Sequence, residues 1–447
     1  MAARIITGKA QSHAHNTSTR SRDYVTALLS CFGLLSPTAK VTFRHPGFRV
    51  AILLAFSAFS LLYEVTIAVT KLATMEIDGN IAYAVNLSQY SIKAFTTLVI
   101  LGMFWWKSFV IVSIVSTARM TIEQTKVVQR RQKGNKVFGR VLVTFATYLV
   151  LMACFRLLRI FSDSDKEPPF TTVLWPSVTL PKEQMVIFIV RNFTEATRLL
   201  CSGYLAGYLH HFAEGLGGYC KIILGKVVRD PLQQLSYTDL QRAWDAREEA
   251  ITLAGTIKQQ IGSFLTFILF SDMIAMFSTM GDFLFFSDSY VYLHNAVSIL
   301  LYIVSSMSVA GGLIAMFDED EETLQNLKML KSSLINGSPC TRSMQRSSSL
   351  RSGKAQPLAL HHRPVAAFIE RDELVRLLSA LKSSCFGTRK AVPDLPVFGY
   401  VNRGTIVNAV GLLFTFSCFM LDQYSRSETT AQVVAAFEAG TTGNTTM

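Results

Sequence analysis

The 447 residues include 43 Lys and Arg against 31 Asp and Glu, a net charge of +12, yet only 17% of the chain is charged and 50% is hydrophobic. Soluble domains average about 25% charged residues, so a soluble enzyme and a nucleic-acid-binding module both fit poorly, and the apolar surface is expected to face lipid. Seven scattered cysteines without a C-x-x-C pair suggest neither a disulfide ladder nor a zinc site, and no Gly-rich phosphate loop, nucleophile elbow or paired carboxylates call for catalysis, a metal or a cofactor.

In chain order, residues 1–49 are polar and basic and read as a cytoplasmic segment, so the first apolar run is expected to serve as its own insertion signal. A membrane helix needs about 20 mostly apolar residues, because its backbone polar groups must be satisfied internally. Seven stretches qualify, near 50–70, 83–106, 138–160, 185–210, 261–281, 291–316 and 404–424, which gives an all-α integral membrane protein. The fourth is the most polar, with Arg191, Glu195 and Arg198. The first six spans form a bundle over 50–316, followed by a cytoplasmic loop over 317–403 and a tail over 425–447. Leu232 to Gln260 reads as an amphipathic helix running straight into span five, and Asp318 to Leu334 as a charged continuation of span six. The Ser-, Arg- and Pro-rich stretch 336–364 reads as a linker, and 365–386 as a short cytoplasmic anchor helix with one apolar face.

Lys and Arg placement sets the direction of the bundle. Of the 43, 34 lie in the N-terminal segment and in alternate loops, four lie on the other side, and five lie within spans. The N-terminus is therefore expected in the cytoplasm and, with seven spans, the C-terminus outside. That is the reverse of a G-protein-coupled receptor, whose D-R-Y and N-P-x-x-Y motifs are also missing. A secondary transporter is the stronger alternative, since intramembrane charges also suit coupled transport, but no duplicated half is visible.

Alternating direction puts Asn86, Gln89, Tyr90, Arg156, Arg191, Glu195, Asp272, Tyr292, His294 and Asn295 in the outer halves of their spans. Charges inside a span are costly unless they are paired or line a cavity. Arg191 and Glu195, one turn apart, are expected to pair with each other. Asp272 has no partner on its own helix and is expected to reach another helix or a pocket. With Asn86, Gln89, Tyr90, Arg156, Tyr292, His294 and Asn295 it forms the set of ligand-pocket candidates. Among the Asn-x-Ser/Thr sequons, Asn444 is the one set for outward glycosylation.

The segment VFGYVNRGTIVNAVGLLFTFSCFMLDQY, residues 397–424, resembles the C-terminal signature of the arthropod gustatory receptor family. That signature is an aromatic and Asn-containing approach, then a span ending T-Y, five hydrophobics and Q-F. Thr415, Phe416, Gln423 and Tyr424 match it. Phe416 stands where the family has Tyr, Tyr424 stands where it has Phe, and six residues rather than five separate Phe416 from Gln423. The resemblance implies a seven-span, ligand-gated, non-selective cation channel in the plasma membrane of a sensory-neuron dendrite. It further implies four like or related subunits around one pore lined by the last span, with a small-molecule tastant bound in each subunit's own bundle. Helical spacing back from Gln423 then gives Met420, Phe419, Phe416 and Leu412 as the pore-lining stripe, unless that stripe packs on neighbouring helices.

Overall fold

The computed structural model describes residues 22, 24–35, 46–74, 81–124, 133–162, 181–229, 237–285, 289–336, 376, 379, 392–419 and 422. They are almost wholly helical. The helices are α1 (24–31), α2 (Pro46–Thr74), α3 (Ile81–Trp106), α4 (Ser108–Gln124), α5 (Lys133–Ser162), α6 (Pro181–Arg229), α7 (Tyr237–Phe285), α8 (Ser289–Asn336) and α9 (Arg403–Phe419). Prolines open α2 and α6, where a fixed φ and a missing N–H suit the first helical turn. The first six expected spans lie within helices, and α9 covers 404–419 of the seventh. Among the described residues, four helices are by length and composition able to cross a membrane, or five if α3 and α4 count as one broken span. Among the other two, α6 carries Arg191, Glu195 and Arg198, and α9 has only 17 residues.

Three helices are far longer than a bilayer requires. α6 and α7 have 49 residues each and α8 has 48, about 72 Å at 1.5 Å per residue against roughly 30 Å of hydrocarbon. The amphipathic helix read before span five and the charged extension of span six are thus continuous with their spans. A buried ion pair between Arg247 and Asp320, 2.6 Å apart, ties these extensions of α7 and α8 together.

Two segments differ from the sequence reading. Residues 24–35, placed in a cytoplasmic segment, contain α1, and Val25, Leu29, Leu34 and Leu35 are buried. Phe32 packs edge-on against Phe193 of α6, with ring centroids 5.4 Å apart. Gly33, at φ 75°, ends α1 in a left-handed cap whose next residue, Leu34, donates its N–H to Leu29 O at 2.9 Å. The second segment is α4, which occupies part of what read as a cytoplasmic loop. The chain bends by 61° at Lys107 and continues as a helix whose Ile111 and Ile114 are buried. Its apolar run, like that of α1, is shorter than a span and so left no membrane signal.

Close helix contacts rest on glycine. Gly203 and Gly207 on α6 meet Val141 and Phe138 of α5, while Gly312 on α8 meets Ala206 and Leu209 of α6. A Cβ at Gly312 would lie 2.7 Å from Leu209 Cβ. Small residues of this kind let membrane helices approach closely.

The entry to α9 is built locally. Leu395 and Gly399 exchange two backbone hydrogen bonds of 2.8 and 2.9 Å, with Gly399 at φ 61° closing the turn. Asn402 then caps α9. Its Oδ1 accepts from the Thr405 N–H at 3.0 Å, and its own N–H donates to Thr405 Oγ1 at 3.2 Å, a reciprocal cap on the first turn. The Asn of the family-like approach therefore has a structural duty. Asn402→Ala is expected to cost about 1 kcal/mol, read as a lower Tm of the purified chain, with Asn402→Asp retaining most of it.

Candidate functional site

A polar layer crosses the bundle around α6. Arg191, Glu195, Arg198 and Ser202 recur every three to four residues and so share one face of that helix, with Asn192 beside them. Facing them are Glu64 on α2, Tyr90, Lys93 and Thr96 on α3, Tyr148 on α5, Ser271 and Asp272 on α7, and Tyr302 and Ser305 on α8. Among the described residues the layer holds three cations, Lys93, Arg191 and Arg198, and three carboxylates, Glu64, Glu195 and Asp272. Balanced charge is what a low-dielectric site requires.

Arg198 is 1% exposed and bridges three helices besides its own. It donates to Thr96 Oγ1 on α3 at 3.1 Å and to Ser271 Oγ on α7 at 3.0 Å, and it forms an ion pair with the fully buried Asp272. Its guanidinium lies 5.1 Å from the centroid of the Tyr302 ring on α8. One turn deeper, Ser305 donates to Ser202 at 2.8 Å, again linking α8 to α6.

Toward the other end of the layer, Arg191 pairs with Glu64 at 3.1 Å and stands over the Tyr90 ring at 4.6 Å and the Phe188 ring at 5.9 Å. This differs from the expected Arg191–Glu195 pair. Glu195 instead accepts from the Tyr148 hydroxyl at 2.9 Å, and that hydroxyl also lies 2.8 Å from Asn192 Oδ1. Helical spacing alone measures only partners on the same helix, so it missed Glu64 arriving from α2 and Tyr148 arriving from α5. Lys93, almost fully buried, holds its Nζ 5.1 Å from the Tyr90 ring centroid.

Four of the ligand-pocket candidates are placed. Asp272 reaches another helix, as expected, and its partner is Arg198. Tyr90 lies under Arg191, His294 is 6.2 Å from the Phe188 ring between centroids, and Asn295 is fully buried next to it in sequence on α8. Arg191 and Phe188 thereby connect Tyr90 with His294. The side chains of Asn86, Gln89, Arg156 and Tyr292 lie outside the described residues. Glu64 and Tyr148 joined the site unannounced. Glu64, a lone carboxylate inside the first apolar run, was the readable signal.

The last helix shows two faces. Ile406, Leu413 and Ser417 turn inward, and Phe416 packs edge-on against Phe277 of α7 with centroids 4.7 Å apart. Leu412 and Phe419 are exposed, so the expected stripe divides between the two faces. The centre of the exposed face is a different set, Gly404, Asn408, Gly411, Thr415 and Cys418, with exposed Asp422 four residues further on. Val407 and Phe414 flank it on one side, Leu412 and Phe419 on the other. Met420, Gln423, Tyr424 and Asn444 lie outside the described residues, as do the stretch 337–364, most of 365–386 and the tail 425–447.

No family model matches the sequence, and no curated protein does. Solved structures do. The chain is similar to the insect olfactory receptor OR5 from Machilis hrabei in complex with eugenol, with a TM-score of 0.55 at 12% identity over 91% of this chain and 99% of that one. The structure described as OR5 alone gives a TM-score of 0.50 at 10% identity over 90% and 99%. The likeness runs through nearly the whole of both chains, and this chain therefore has the fold of an insect olfactory receptor.

Proposed function

We propose that this chain is a gustatory chemosensory receptor, a ligand-gated non-selective cation channel in the plasma membrane of a sensory neuron's dendrite. On this reading seven helices span the bilayer, with the N-terminus in the cytoplasm and the C-terminus outside. A small-molecule tastant binds in the outer half of the bundle near Tyr90, His294 and Asn295, and like or related subunits form a tetramer around one pore. The olfactory-receptor fold and the receptor-like last span both support it.

The observation that carries the reading is the exposed face of α9. Asn408, Thr415 and Asp422 repeat every seven residues, as do Gly404, Gly411 and Cys418. Polar groups at membrane depth belong against protein or water rather than lipid. Small residues favour close helix approach, and a seven-residue repeat suits helices that coil around one another. Four copies turned inward on this face would present rings of Asn408, Thr415 and Asp422 to a water path, flanked by Leu412 and Phe419. A carboxylate ring attracts cations.

The test is to express the full chain in cells, apply a tastant panel and record currents. A stimulus-evoked cation current is expected, and a charged, water-soluble thiol reagent should block it by modifying Cys418. Cys418→Ser should remove the block, and Asp422→Asn should lower cation over anion permeability. Substrate uptake without current would favour a transporter, and block that persists in Cys418→Ser would move the pore off this face.

A further inference from the structure

A cavity of about 400 Å³ lies between α7, α8 and α9, within the range of roughly 300–1,000 Å³ common to small-molecule pockets. It is separate from the polar layer around α6. Its walls are apolar and rich in methionine, with Met273, Met276 and Met280 from α7 and Met307 from α8. Methionine is flexible and polarizable, so such walls adapt to ligands of varied shape.

The hydroxyls in the wall narrow the chemistry. Ser417 donates to Leu413 O at 2.8 Å, and Thr405 is committed to the Asn402 cap. Ser306 is the third hydroxyl among the described lining residues, none of which carries a charge. An ion entering would lose its hydration without replacement, whereas an uncharged, mostly apolar molecule with a single hydroxyl or ether loses little.

From this enclosure we infer a second ligand site, one that takes uncharged apolar small molecules arriving through the bilayer and acts on α9 directly. Much of the wall belongs to α9 itself, so part of that helix faces open space rather than a filled core. An occupant that fits one position of α9 better than another shifts the balance between them by its difference in affinity. The effect on current rests on the reading of α9 as the pore helix; the binding site does not.

Photolabelling tests both parts, using membranes that contain the full chain and octanol bearing a diazirine. Adducts are expected on Met273 and Met276, reduced at least tenfold by Ala409→Phe, which fills the cavity, while label at exposed Phe48 and Phe59 stays unchanged. Ser306→Phe, filling from α8, gives an independent version should the first variant reach the membrane poorly. Equal labelling in wild type and both filled variants would overturn the site. So would an acyl-chain diazirine phospholipid that labels the same methionines and resists competition by octanol, which would make the cavity a lipid seat. In recordings, octanol should shift the tastant concentration-response several-fold in wild type and not in Ala409→Phe. Cavity labelling with robust tastant currents but no shift would overturn action on α9. Labelling with no current under any stimulus would instead remove the channel reading and leave the site standing.

Discussion

Arg198→Met is expected to deplete correctly folded protein from the membrane, seen as loss of the monodisperse peak in detergent and faster proteolysis. The substitution keeps side-chain length but leaves the buried Asp272 carboxylate without its cation, and Thr96 and Ser271 without a common donor. Breaking one side of a buried pair costs about 3–5 kcal/mol, a large share of the roughly 5–15 kcal/mol that holds a typical fold together. Arg198→Lys should fall between, because one ammonium cannot reproduce a planar fork that reaches two helices at once. The double change Arg198→Met with Asp272→Leu should recover much of what the single change loses, since it leaves no orphaned charge. An Arg198→Met protein as stable as wild type would show that the pair does not hold α6 to α7.

Gly207→Leu should be nearly as disruptive by a different physical route. A Cβ at Gly207 would overlap the Phe138 ring, and one at Gly203 would overlap Val141. Overpacking a tight contact costs about 1–3 kcal/mol or more, and here two long helices would have to part. Phe138→Ala in the same chain removes the obstructing ring and should restore part of the folded yield. Gly102→Ala is the control, since nothing lies within 4 Å of a Cβ there, and it should be neutral or slightly stabilising. Equal damage from Gly102→Ala and Gly207→Leu would argue for backbone flexibility rather than close approach as the role of glycine in this bundle.

The helical scaffold was legible because long apolar runs have one dominant reading: six of the expected spans lie within helices and most of the seventh lies on α9. Residues such as Leu240, Trp244 and Ile251, spaced for one face, already pointed to the extension ahead of span five. α1 and α4 were not legible. Their apolar runs are too short to signal a span, and only packing against larger helices gives them value. Within the site, Asp272 could be read as needing a partner elsewhere, because nothing on its own helix could neutralise it. The identity of that partner could not, since Arg198 is brought to it only by the crossing of α6 and α7. Arg191 illustrates the opposite error, where a plausible neighbour one turn away hid the true partner on α2. The register of α9 depended on which side lacked neighbours. Counting back from Gln423 alone put Phe416 on the same side as Leu412, while Phe277 draws it toward α7.

The unbroken course of α6, α7 and α8 has a mechanical consequence. A helix about 72 Å long acts as a lever, and a tilt of only 3° about its midpoint moves each end by roughly 2 Å. The Arg198–Asp272 pair lies part-way along two of these rods, and the Arg247–Asp320 pair joins α7 to α8 at a second point along them. Strain introduced near Tyr90 and His294 would therefore travel as rotation of whole rods about a charged fulcrum, reaching the far ends of the bundle without any helix having to unwind.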